Sequence, residues 1–92
     1  MAVVVSIDWA GFTAENYDKG MEIMDLGKNP AKGLLSHVAS FDNQGAHITD
    51  VWESAEDFQS FVGGRLAPVM QQLGITGEPP TVITDAHNVL IP

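Results

Sequence analysis

His37 and Asp50 are the pair best suited to moving a proton. An imidazole takes a proton near neutral pH, and a carboxylate beside it fixes the ring and balances the resulting charge. The two residues lie in apolar runs, "GLLSHVASF" (33–41) and "AHITDVWE" (46–53), joined by the turn-forming "DNQG" (42–45). The runs predict a β-hairpin. Whether the pair meets depends on the turn. A four-residue loop sets Phe41 against Ala46, His37 against Asp50 and Leu35 against Trp52, and directly opposed side chains can pair. It also groups Leu35, Phe41, Ile48 and Trp52 on one face. A three-residue loop with Gly45 as a bulge would set His37 against Val51 instead. A half-buried histidine held by a carboxylate also occurs for stability alone.

Trp52 ends the third apolar run, just before "ESAEDFQSF" (53–61). With Phe58 it offers a flat apolar surface to an aromatic ligand, although a large aromatic at a strand end serves equally as core. Tyr17 can add a hydroxyl to the same cavity. Arg65, the lone basic residue of its segment, can steer an anionic or enolate substrate. An arginine of this kind also makes surface ion pairs of little energetic consequence.

No metal site is expected. Asp85 and His87 are two apart on a predicted strand and His47 lies elsewhere, without a His-x-x-x-His or comparable ligand spacing. No cysteine is present, which removes thiolate ligands and a thiol nucleophile. "VGGRL" (62–66) lacks the spacing of a phosphate loop, and no Gly-x-Ser-x-Gly occurs.

The elements that must position these groups follow from pattern. Residues 2–9, "AVVVSIDW", read as a strand with Val3, Val5, Ile7 and Trp9 on one face. Thr13 caps a helix whose apolar stripe, Tyr17, Gly20, Met21 and Met24, reaches Leu26-Gly27. After the hairpin, Ser54 caps a second helix, 55–67, with Phe58, Phe61, Val62 and Leu66 inward. Pro68 interrupts it, and "PVMQQLG" restarts as a short helix. Residues 81–91, "TVITDAHNVLI", make a fourth strand. The order β-α-β-β-α-β predicts an α+β, ferredoxin-like fold, a four-stranded antiparallel sheet with helices on one face. Leu34 and Val38 point one way, and Leu35, Ala39 and Phe41 the other. The strands thus carry apolar residues on both faces, and the uncovered face calls for a second copy of the sheet.

At 92 residues the chain is expected to form one domain, 1–92. Four basic against twelve acidic residues, net charge −8, leave no basic footprint for nucleic acid or an anionic membrane. The opening "MAVVVSIDWAGF" lacks the basic start of a signal peptide, and no apolar run reaches a membrane span. A cytoplasmic location is expected.

The pattern "GLLSH…DVWESAEDFQSF…P", with this length and element order, resembles the dimeric α/β-barrel superfamily, especially its antibiotic biosynthesis monooxygenase-like branch. The Val-Trp-Glu-Ser junction carries most of the resemblance, and Gly33 with His37 four residues on adds to it. The resemblance implies a homodimer packed sheet to sheet, with a pocket between each sheet and its helices. It also implies cofactor-independent oxygenation or cyclisation of an apolar, aromatic or polyketide-like molecule. Trp52 and Phe58 fall where the oxygenases place pocket aromatics, though Phe58 lacks the phenolic hydroxyl of the best-studied pattern. The haem-degrading branch needs a helix histidine that 55–67 does not have. The alternative is a non-catalytic dimeric barrel protein that binds a small ligand or is linked to stress.

Overall fold

The computed structural model describes residues Met1–Pro92. Strand β1 (Val3–Ala10) buries Val3, Val5 and Ile7 and exposes Ser6 and Asp8, the alternation of a strand covered on one side. Helix α1 (Ala14–Met24) begins at Thr13, whose Oγ1 accepts from the Asn16 amide while Asn16 Oδ1 accepts from the Thr13 amide. It ends at Asp25, in the left-handed region at φ 49°. Strands β2 (Leu34–Phe41) and β3 (Gly45–Trp52) form the hairpin, and β4 (Thr81–Asp85) closes the sheet.

All pairings are antiparallel and the strand order is β2-β3-β1-β4. This is the expected ferredoxin-like arrangement. The core lies between sheet and helices, with Trp52 and Val5 its largest fully buried side chains. No helix is long and apolar enough to cross a membrane.

The hairpin adopts the four-residue register: Phe41 faces Ala46 and His37 faces Asp50. One expectation within it fails. A β-bulge between Leu34 and Ser36 sets Leu34, not Leu35, opposite Trp52. The extra residue re-aims the chain, so Leu34 turns inward with His37 and Leu35 is left exposed. Gly33 permits the entry: its φ is +86°, and a Cβ there would run into the Asp57 carboxylate.

The second helical segment also differs from expectation. Helix α2 (Ala55–Phe61) passes into a π-helical turn, Val62–Leu66, and then into α3 (Ala67–Gln72). The irregularity comes before Pro68, not at it. In the wide turn the Ala67 amide donates to Val62 O, and Pro68 falls in the first turn of α3, where its missing N–H is tolerated. The last strand is shorter than 81–91 because its partner runs out. Asp85 already pairs with Val3, the first residue of β1, and Ala86 N–H reaches Ala2 O as the final bond.

Candidate active site

Four side chains from three elements form one hydrogen-bonded chain on the helix-covered face. Asp50 of β3 is 6% exposed. Its Oδ2 accepts from Trp52 Nε1 at 3.1 Å and its Oδ1 lies 2.6 Å from His37 Nδ1 on β2. His37 Nε2 lies 2.6 Å from the Tyr17 hydroxyl on α1. A carboxylate can only accept, so the Nδ1 proton belongs to the Asp50 bond. Nε2 is then the acceptor and the Tyr17 hydroxyl donates. Strand periodicity explains the placement: Asp50 and Trp52 are two apart and share a face, and the register brings His37 opposite.

The chain borders a cavity of about 60 Å³ between sheet and helices. Of 17 lining residues 14 are hydrophobic, and Tyr17, His37 and Asp50 supply its ionisable groups. Trp52 and Phe58 meet edge to face at 5.7 Å in this wall, with Phe61 5.3 Å from Trp52. The Tyr17 ring lies parallel to the His37 ring and meets Phe41 edge-on at 5.7 Å. Burial, then the negative charges of Asp50 and Asp18, push the Tyr17 phenol above its ordinary value of 10.0.

Five of the six residues singled out by sequence line this cavity: His37, Asp50, Trp52, Phe58 and Tyr17. Arg65 does not. Its guanidinium donates to Pro30 O at 3.1 Å and Met24 O at 3.0 Å, tying the end of α1 and the following loop to the π-helical turn. Trp9 also lines the cavity, stacked on Phe12 at 4.2 Å. The alternation of β1 already placed it on the inward face, but its role as a wall was missed. Asp85 and His87 are exposed and outside the cavity, and His87 lies beyond the end of β4.

A second histidine cluster occupies the opposite face. His47 Nδ1 lies 2.7 Å from Asp8 Oδ1, and its Nε2 2.7 Å from Asp42 Oδ2. The hydrogen bonds to Asp8 and Asp42 push the imidazole above its ordinary 6.5. Asp42 is held below 3.8 by the Gln44 amide first and His47 next. The carboxylates sit at opposite ends of the ring, so the three groups do not converge on one point, and no group of three or more His, Asp and Glu side chains with metal-holding geometry is present.

The chain has a ferredoxin-like α+β fold, and solved structures of antibiotic biosynthesis monooxygenase-like proteins share it. Among solved structures it is similar to a protein of unknown function from Nitrosomonas europaea, at 18% identity and TM-score 0.67, over 99% of this chain and 92% of that one. It is similar to SnoaB, a cofactor-independent oxygenase from Streptomyces nogalater, at 11% identity and TM-score 0.63, over 97% and 95%. It is also similar to a monooxygenase from Streptomyces coelicolor solved with nanaomycin D, at 19% identity and TM-score 0.56, over 99% and 90%. At these identities the likeness is one of fold. No protein-family model matches the chain, and no curated protein matches it by sequence.

Proposed function

We propose that the protein is a cofactor-independent enzyme acting on an apolar aromatic or polyketide-like molecule, with His37 as the final proton acceptor. The observation that carries this reading is the Tyr17–His37–Asp50 chain opening onto an apolar cavity, because an oriented imidazole backed by a carboxylate is a general base. The shared fold with SnoaB and with the nanaomycin D-bound monooxygenase supports the substrate class. Loss of a proton leaves a carbanion or enolate. With dioxygen as co-substrate its electrons form a C–O bond, and the hydroperoxide loses water, so CH₂ and O₂ become C=O and H₂O. Without dioxygen the same anion can attack an internal carbonyl and cyclise.

At about 60 Å³ the resting cavity is far below the roughly 300 Å³ of a site for a drug-sized ligand. A polycyclic ligand must displace wall side chains, and Met21, Met24 and Met70 are the flexible ones. The tight resting cavity also favours a second reading, binding without turnover. An anthrone and naphthol panel separates them. Oxygen uptake matched by quinone absorbance, and abolished in His37→Gln, supports the enzyme; saturable binding with no uptake and no product supports the binder.

The protein acts as a homodimer in this reading. Val38 on β2 and Val82 on β4 are 59% and 60% exposed. Both lie on the sheet face away from the helices, where large apolar patches mark contact surfaces. Sedimentation should give twice the chain mass, and Val38→Lys should shift it to the monomer. A wild-type monomer at micromolar concentration would remove the dimer.

A further inference from the structure

We propose that Tyr17, not His37, is the catalytic residue that touches the substrate, and that it relays the proton of a phenolic or enolic hydroxyl to His37. This rests on the reading of His37 as the final acceptor. Both ring nitrogens of His37 are already occupied, Nδ1 by Asp50 and Nε2 by Tyr17, each at 2.6 Å. A substrate reaches Nε2 directly only by breaking the Tyr17 bond. The Tyr17 oxygen is placed differently. It gives its proton to Nε2 and keeps lone pairs free to accept another, and its residue is part of the cavity wall. Parallel alignment with the His37 ring and the edge contact from Phe41 hold the phenol in that position.

The relay balances without an oxidant. The substrate O–H bond breaks and its proton joins Tyr17 Oη as the original Tyr17 proton passes to His37 Nε2. The products are a substrate oxyanion, an imidazolium faced by the Asp50 carboxylate, and an unchanged tyrosine. Its raised pKa suits this, because the phenol keeps a proton at rest and exchanges one proton for another, so phenolate need not accumulate. The relay selects substrates with an acidic hydroxyl. The corresponding methyl ether fits the same apolar wall but offers no proton.

The probe is 1-naphthol, whose ionisation changes its absorbance, with 1-methoxynaphthalene as the binding control. Bound to the wild-type protein, 1-naphthol should ionise about tenfold more readily than in water, one pKa unit. Tyr17→Phe keeps the ring and loses the oxygen; the methyl ether should still bind, and the gain in naphthol ionisation should vanish. Tyr17→Phe that keeps the gain overturns the proposal and makes His37 the direct base. Equal ionisation in the wild type and in His37→Gln overturns the reading of His37 as acceptor beneath it. Imidazole nitrogen NMR tests the same point without any ligand. The proton should sit on Nδ1, and the Nε2 resonance should move toward the free-acceptor position in Tyr17→Phe. A proton on Nε2 would make Tyr17 the acceptor and overturn the relay.

Discussion

Each face of the sheet carries a histidine with a partner on both ring nitrogens, and the two clusters differ in surroundings more than in geometry. The His37 bonds are 2.6 Å and the His47 bonds 2.7 Å. In a single protomer the Asp50 side chain is 8% exposed, against 79% for Asp8 and 49% for Asp42. Distance therefore does not separate a site from a surface clamp. Desolvation does, because a hydrogen bond away from water is stronger and its loss leaves a polar group with no substitute partner.

The largest expected effect that tests this contrast is at Asp50. Asp50→Ala strands the Trp52 indole N–H and removes the partner of His37, and should cost about 3 kcal/mol or more in denaturant unfolding. Asp8→Ala, which breaks a bond of similar length, should leave the midpoint of the Val38→Lys monomer within error. Equal losses would mean that burial is not what distinguishes the clusters. Trp52→Phe follows, at about 2 kcal/mol for the lost bond to a charged acceptor. It should also weaken the quenching of tryptophan emission by bound aromatics without abolishing it, because Trp9 lines the same cavity.

A smaller effect carries a sign. The folded-state pKa of His47 is raised above 6.5, so its contribution is fully present below 6.5 and fades as pH rises through the raised value. That of Asp42 is lowered below 3.8, so its contribution is present above 3.8 and fades as pH falls through the lowered value. The clamp is therefore complete between pH 3.8 and 6.5 and weakens as pH rises beyond 6.5. Melting temperature against pH, compared with His47→Gln, should show a difference that closes on the alkaline side. A difference growing with pH would reverse the assignment.

Much of the inner site could be read from the chain because strand rules are local. Turn residues at 42–45 set the register that joins His37 to Asp50, and alternation put Trp52 beside them. The bulge could not be read, because Leu34 and Leu35 are the same residue and either satisfies the inward position. The π-helical turn was hidden in an apolar stripe that a regular helix explains equally well, although Phe61 and Leu66, five apart, both line the cavity. The apolar "NVLI" (88–91) looked like strand, but a strand ends where its neighbour does. Arg65 showed only its charge in the sequence; that it would bind one carbonyl at the end of a distant helix and one in the loop after it depends on packing.

The apolar cavity has a consequence in heat. Its volume of about 60 Å³ could hold a few water molecules, but walls so largely hydrophobic give them few partners. Displacing such poorly held water yields little entropy, while an aromatic ring gains close contact with Trp52, Phe58 and Phe61. Binding of an apolar aromatic should therefore be exothermic near 25 °C, with a negative heat-capacity change, the signature of a ligand entering a poorly hydrated site.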